Sequence, residues 1–465
     1  MGARLFGTNG VRGVFGKDLT LDLALRLSYA LAAYYREGPL LLAYDGRHSS
    51  PLLADVVKAG LNAMGIDVHD AGLVPTPCLQ YCTKRLGYKG GIMITASHNP
   101  PEYNGIKVMA SDGVEIARED ELRIEEIYHS SSIQKKSLSN PKAAGAVARV
   151  FLGIGKDERL NGAVDTYLQG ITSLVDVDRI RSKGMKVVVD LGNGAQANAV
   201  PRLLSILGCK VTTINERIDG SFPGRGSEPT LENLGELARR VRESNADLGV
   251  AYDGDGDRSM FCDEHGSVYT GDRSGAVLIE HVLAREGGGG AKVVTPVNSS
   301  MLIDMVAAKY GAEVIRTKVG SVEVSREMVR RSALIGLEEN GGFMYARHIP
   351  VRDGAMSTAL MLEALAVRGE PLSSIIGRYR RFYQYKTKFP CTREQSSRII
   401  DALRSTSPRI ESIDGVKVWV DDESWIMVRQ SGTEPIMRLY AESSDEQRLK
   451  QMIDIYTERI RSLLK

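Results

Sequence analysis

Five times along the chain a short apolar run breaks off into a glycine-rich polar turn, and this recurrence limits the fold more than any other feature. Residues 40–44 run into Asp45-Gly46-Arg47, and residues 91–95 run into Ala96-Ser97-His98-Asn99-Pro100. Residues 187–189 precede Asp190-Leu191-Gly192-Asn193-Gly194, residues 248–252 precede Asp253-Gly254-Asp255-Gly256-Asp257-Arg258, and residues 334–337 precede Glu338-Glu339-Asn340-Gly341-Gly342. Runs this short and continuous read as strands buried on both faces. Between them apolar residues return at three- and four-residue steps: Leu231, Leu234, Leu237 and Val241; Leu302, Met305, Val306 and Tyr310; Leu360 through Val367. Those steps predict helices with one buried stripe. Strand and helix in alternation give βαβ units and parallel sheets, here three α/β domains in series. The tail differs. Residues 416–420, 425–428 and 436–441 read as strands and 446–464 as a helix, so a fourth unit is predicted to be α+β.

Length agrees, since 465 residues at ~150 per domain give three to four domains. The expected boundaries are 1–150, 151–258, 259–370 and 371–465, with the polar, aperiodic stretch 130–141 as the first join. An apolar fraction of 43% and a charged fraction of 25% exclude wholesale disorder. Sixty basic against 58 acidic residues leave a net charge of +2, which excludes a global field for nucleic acid or membrane. No 18-residue charge-free span occurs, and the N-terminus lacks an apolar signal region, so a cytoplasmic protein is expected. Five cysteines argue against a disulfide framework, and Cys78 with Cys82 has no second Cys/His pair to complete a zinc site. Cations and rings interleave over 378–388, as in single-strand binders. In a near-neutral chain this segment reads instead as an amphipathic connection into the fourth domain. The oligomeric state stays open, a dimer included.

In open α/β sheets ligands bind outside the carboxyl ends of the strands, where each polar cluster lies, so the domains are expected to share one cleft. Ser97, beside His98 in a proline-bounded turn, is a candidate nucleophile; an ST-turn or helix cap is its non-chemical reading. Asp253, Asp255 and Asp257 repel one another unless a hard cation such as Mg²⁺ joins them. An EF-hand is the rival, and it fails because Arg258 replaces the turn glycine and a strand precedes the loop. Glu338 and Asn340 on a glycine loop suit sugar hydroxyls. Arg429, Ser431, Gly432 and Thr433 suit a phosphate dianion, with a plain β-turn as the alternative.

These four clusters, in this order, resemble the α-D-phosphohexomutase family over essentially the whole chain. Thr95 to Pro100 looks like its phosphoserine loop, Asp253 to Arg258 its metal loop, Glu338 to Gly342 its sugar loop and Arg429 to Pro435 its phosphate loop. The opening Phe6-Gly7-Thr8-Asn9-Gly10-Val11-Arg12-Gly13 is similar to the phosphoglucosamine mutase branch, where an acidic residue is common at the place of Asn9. The resemblance implies three α/β domains and an α+β domain around one central cleft. It implies a mutase that moves phosphate between the 1- and 6-positions of a hexose or hexosamine through phosphorylated Ser97 and a hexose bisphosphate. It also implies Mg²⁺ held by Asp253, Asp255 and Asp257 together with Ser97, and cations Arg12, Lys107 and Arg258 near the reacting phosphate. Lys107 would serve as a base if neighbouring positive charge lowers its pKa, and His348 is a second acid–base candidate. The sugar loop departs from the family, with Asn340 for the usual Ser and Gly342 for the usual His, which implies tolerance at the sugar's second carbon: glucosamine and glucose phosphates accepted, mannose phosphates less well. A metal-dependent phosphatase and a non-catalytic sugar-phosphate sensor are the rival classes.

Overall fold

The computed structural model describes residues 5–7, 9–130, 153–406, 409–431 and 435–464. The expected join at 130–141 therefore lies outside the described residues from 131 onward. The first sheet holds β1 (Val11–Val14), β2 (Leu40–Tyr44), β3 (Val68–Leu73), β4 (Gly90–Ile94), β5 (Tyr103–Ala110) and β6 (Asp157–Arg159) in the order β1-β5-β4-β2-β3-β6. The second holds β7 (Lys186–Asp190), β8 (Lys210–Ile214), β9 (Leu248–Tyr252) and β10 (Ser259–Cys262) in the order β10-β9-β7-β8. The third holds β11 (Lys292–Pro296), β12 (Glu313–Thr317), β13 (Ile335–Leu337), β14 (Phe343–Tyr345) and β15 (Ile349–Arg352) in the order β12-β11-β13-β14-β15. The five apolar runs are thus β2, β4, β7, β9 and β13. Two of the sheets reach past the boundaries drawn from the sequence, since β6 follows residue 150 and β10 follows residue 258.

One motif is repeated three times. A parallel trio (β3-β2-β4, β8-β7-β9, β12-β11-β13) ends in a strand that turns straight back to an antiparallel neighbour (β5, β10, β14). The sheets are therefore mixed, where simple alternation predicted parallel ones. A parallel return needs a crossover of about a dozen residues or more. The connections after β4, β9 and β13 are too short for one, so the next strand can only run back. Each of these short returns carries one of the polar clusters.

Helices between the strands bury narrower stripes than the sequence suggested. Helix Gly235–Ser244 buries Leu237 and Val241, but Leu231 lies ahead of it and is exposed, as are Met305 and Val367. One buried cluster runs from Cys78 and Cys82 through Tyr167, Val187, Leu248 and Ala359, joining the first three domains.

The fourth domain has β16 (Tyr383–Pro390), β17 (Ile410–Glu411), β18 (Val416–Asp421), β19 (Ser424–Gln430) and β20 (Ile436–Ser443), all antiparallel in the order β16-β20-β19-β18-β17. The stretch 378–388, read as a connection, becomes strand β16 from Tyr383 onward. Alternation sorts the two faces. Val416, Val418, Ile426, Val428, Met437 and Leu439 meet helices Arg393–Thr406 and Glu446–Leu464, whereas Trp425, Met427 and Tyr440 pack on Val297 of the third domain. Among the described residues no helix is long and apolar enough to cross a membrane.

Candidate active site

The β4–β5 return places Ser97 in the left-handed region, at φ 53°. A side chain there costs on the order of 1–3 kcal/mol, so the surroundings must impose it. They do so through Arg47, whose five N–H groups are all used. Nε donates to Asp45 Oδ2 (3.1 Å), Nη1 to the carbonyls of Pro100 (2.6 Å) and Tyr103 (2.9 Å), and Nη2 to those of Ser97 (2.8 Å) and Asn99 (2.6 Å). Asp45 also accepts from Thr95 Oγ1 (2.6 Å), which in turn accepts from the Ser97 N–H (2.8 Å). The guanidinium lies 5.0 Å from the Phe222 ring of the second domain. A buried ion pair therefore holds the serine loop by its backbone and leaves the hydroxyl aimed outward from the loop.

That hydroxyl donates to Asp253 Oδ2 across 2.9 Å, so the first two domains meet at Ser97. Asp253, Asp255 and Asp257 are buried, with one carboxylate oxygen of each within 4.8 Å of the others. The glycines between them are needed for different reasons. A Cβ at Gly254 would lie 2.8 Å from the Ser97 carbonyl oxygen, while Gly256 turns at φ +77°. Asp255 Oδ2 accepts from Thr76 Oγ1 (2.6 Å) and Lys107 Nζ (2.7 Å), and Asp257 Oδ2 from Arg352 Nη2 (2.6 Å). Burial, then Asp257 and Asp255, push the Asp253 carboxyl well up. Burial acts the same way on Asp255, but Lys107 and Thr76 outweigh it and hold that carboxyl down. Asp255 Oδ1 and Asp257 Oδ1 are buried with no hydrogen-bond partner. Orphaned carboxylate oxygens beside like charges are the donor set that a hard divalent cation takes, so the three aspartates fit such an ion.

Cations surround this centre. Arg12, on β1, donates to the Ala96 carbonyl (3.3 Å) and Asn99 Oδ1 (3.0 Å), and burial lowers its guanidinium to about 10 against the pull of Asp255. Arg258 gives its N–H to Asp253 Oδ1 (3.1 Å) and Nη1 to Glu228 (3.0 Å). His98 Nδ1 is 3.4 Å from Ser97 Oγ, and Arg258, then burial, Arg12 and Arg352, hold its imidazole well below the ordinary range. The expected cationic neighbours of Lys107 are replaced by carboxylates: Nζ is fully buried 2.7 Å from Asp255 and 3.4 Å from Asp257.

The β13–β14 return carries Glu338, whose carboxylate accepts from Arg352 Nη1 (3.2 Å). Asn340 Oδ1 accepts from the Gly342 N–H (3.2 Å), so its carbonyl closes the loop. In the fourth domain Arg429 Nε donates to Asp414 Oδ2 (2.7 Å), which also accepts from the Val319 N–H (3.1 Å) of the third domain. Ser431 is buried, and Gly432 and Thr433 lie outside the described residues. His348 does not join the site. Its side chain is 1% exposed, stacked 4.3 Å from Tyr81, tilted against Tyr167 and 3.1 Å from Asp353. The acid–base expectation is therefore corrected to a packing role where three domains touch.

Sequence reasoning missed Arg47, Thr76 and Arg352. Arg47 stands in the turn after β2, and its place directly after Gly46 is the available signal. Thr76 and Arg352 carry no local pattern.

Four family models cover most of the chain: phosphoglucomutase/phosphomannomutase alpha/beta/alpha domain I at 3–135, domain II at 165–266, domain III at 270–382 and the C-terminal domain at 387–458. A phosphoglucosamine/phosphogalactosamine mutase of Sulfurisphaera tokodaii is 41% identical over 452 residues, 95% of this chain and 96% of that one. A phosphoglucomutase/phosphomannomutase of Thermococcus kodakarensis is 37% identical over 470 residues, 99% of each. The crystal structure of a phosphoglucomutase/phosphomannomutase family protein from Burkholderia thailandensis superposes with a TM-score of 0.85 at 26% identity, covering 100% of this chain and 98% of that one.

Proposed function

The chain belongs to the α-D-phosphohexomutase family and is an intramolecular phosphotransferase, an isomerase; from that premise we propose that it interconverts hexosamine or hexose 1- and 6-phosphates through phosphorylated Ser97. Glucosamine phosphate is the favoured substrate, with glucose phosphate also turned over. The observation that carries this reading is the contact of Ser97 Oγ with Asp253 Oδ2 at 2.9 Å, inside a ring of arginines.

A phosphoryl group on Oγ has no hydroxyl proton to give Asp253, so phosphate and carboxylate would face each other as like charges. Mg²⁺ held by Asp253, Asp255 and Asp257 would supply the charge neutralisation on which phosphoryl transfer depends. Arg12 and Arg258 bind the phosphate oxygens. The sugar hydroxyl oxygen bonds to phosphorus as the Oγ–P bond breaks; the hydroxyl proton passes to a base and Oγ regains one. His98 suits the base by position, with Nδ1 3.4 Å from Ser97 Oγ. Glu338 and the Asn340 amide hold ring hydroxyls, while Arg429, Ser431, Gly432 and Thr433 hold the phosphate that is not reacting. The hexose bisphosphate formed turns over in the cleft and returns its other phosphoryl group to Ser97. Because the distal group is a phosphate in either orientation, one site serves both directions.

The test is kcat/KM for the 1- and 6-phosphates of glucosamine, glucose and mannose, with and without Ser97→Ala, alongside intact mass. Expected are turnover of glucosamine and glucose phosphates, none in the variant, and a phosphate-sized increment on the unmodified protein. Turnover in Ser97→Ala overturns the phosphoserine. Release of inorganic phosphate without isomerisation makes the protein a phosphatase, and activity confined to mannose phosphates overturns the sugar preference.

A further inference from the structure

The sugar loop ends on Gly342, and the space beside it is filled from another strand. A Cβ at residue 342 would lie 2.4 Å from Cδ and 2.9 Å from Cγ of Arg352. Those are atoms in the middle of the side chain, and its far end is anchored: Nη2 bonds Asp257 Oδ2 at 2.6 Å and Nη1 bonds Glu338 Oε2 at 3.2 Å. Arg352 closes β15 opposite Met344 and is 6% exposed. The backbone around it is equally confined, since a Cβ at Gly354 would meet Tyr252 at 2.8 Å and the Arg258 carbonyl at 3.0 Å. One guanidinium therefore spans the sugar loop and the aspartate loop, and its stem needs the room that a side chain at 342 would take.

We propose that Arg352 is the positioning residue that sets sugar selectivity, fixing the Glu338 carboxylate toward the sugar ring and occupying the volume of the side chain absent at Gly342. This rests on the assignment of residues 338–342 to the sugar. With one oxygen of Glu338 tied to Arg352, the carboxylate is held in one orientation toward the hydroxyl or amine donors of a hexose. Lysine cannot replace it, because a single ammonium on a shorter stem does not reproduce the planar fork that reaches two carboxylates. Position 342 and Arg352 are alternatives for one volume, so substitutions at the two sites must be non-additive.

The experiment compares wild type, Arg352→Lys, Arg352→Ala, Gly342→His and the double Gly342→His/Arg352→Ala, by thermal melting and by kcat and KM on glucosamine, glucose and mannose 1-phosphates with Mg²⁺. Arg352→Lys, which keeps the charge, is expected to melt within a few degrees of wild type yet raise KM roughly tenfold and shift the glucosamine-to-mannose ratio of kcat/KM about fivefold, ~1 kcal/mol of discrimination. Gly342→His is expected to melt lower than wild type, and the double variant to recover melting temperature relative to it. An active wild type whose substrate ratio survives Arg352→Lys unchanged overturns the selectivity role. A Gly342→His penalty that is the same with and without Arg352 overturns the shared volume. A wild type with no isomerase activity on any of the sugars overturns the sugar assignment itself, while the melting cycle still decides the volume claim.

Discussion

Asp272 should make the stability of this protein depend on pH in the direction opposite to ion-paired carboxylates. It is the second residue of helix Gly271–Glu286 and is 1% exposed. Oδ2 accepts from the Ser300 N–H (3.0 Å) and from Gln384 Nε2 (2.9 Å), and Oδ1 has no partner. Burial pushes its carboxyl from 3.8 up to about 7, the Gln384 bond opposes, and Glu339 and Glu442 add to the rise. The folded chain thus keeps a proton that the unfolded chain loses near 3.8. A raised carboxyl stabilises the fold fully below the unfolded value and loses that contribution as pH climbs to the folded value. A rise of roughly three units at 1.36 kcal/mol each amounts to about 4 kcal/mol. Asp272→Asn has the shape of the protonated acid and can keep both donors on its carbonyl. Urea denaturation of both proteins from pH 4 to 8 should show equal stability near pH 4 and a gap that opens through pH 7, the variant ending ahead by up to about 4 kcal/mol. A gap that does not move with pH, or a variant less stable at pH 8, refutes the reasoning.

Arg47→Met should lower the melting temperature through the loss of roughly 3–5 kcal/mol, because it strands a buried Asp45 and four carbonyls at once; Arg47→Lys should recover only part, and wild-type melting in the methionine variant would show that the serine loop stands without this support. Removing divalent metal should stop turnover, and Asp255→Asn should weaken Mg²⁺ binding by titration calorimetry more than it weakens sugar-phosphate binding. Full activity in excess chelator after verified metal removal would assign the aspartates to structure alone.

What the sequence disclosed was local, and what it hid was long-range. Strands β2, β4, β7, β9 and β13 were readable because burial on both faces writes an uninterrupted apolar run. Their antiparallel partners were not, since β5 opens on Tyr103-Asn104-Gly105 and β10 and β14 are too short to show a period. The three carboxylates and Ser97 stood out because each cluster occupies one tight return. Thr76 and Asp255 lie 179 residues apart, and Arg352 and Asp257 lie 95 apart, so no spacing rule could pair them. The same blindness misplaced His348, whose distance in sequence from the sugar loop suggested chemistry while its aromatic neighbours, Tyr81 and Tyr167, came from two other domains. The repeated strand order was hidden for a similar reason: topology repeats where residues do not.

Asp414 gives the proposed phosphate loop a dependence that its own sequence does not contain. One oxygen of this carboxylate takes the Arg429 Nε–H and the Val319 N–H together, and the two donors come from different domains. The guanidinium proposed to grip the distal phosphate is therefore oriented partly by a backbone amide of the third domain. If the fourth domain separates from the third, Asp414 keeps Arg429 but loses Val319, and the fork is less well aimed. Phosphate affinity and the docking of the two domains are then linked quantities, and linkage is reciprocal. Whatever factor docking adds to phosphate binding, bound phosphate must return to docking. A sugar bisphosphate, with a phosphate at each end, would hold the two domains together for as long as it stays in the cleft.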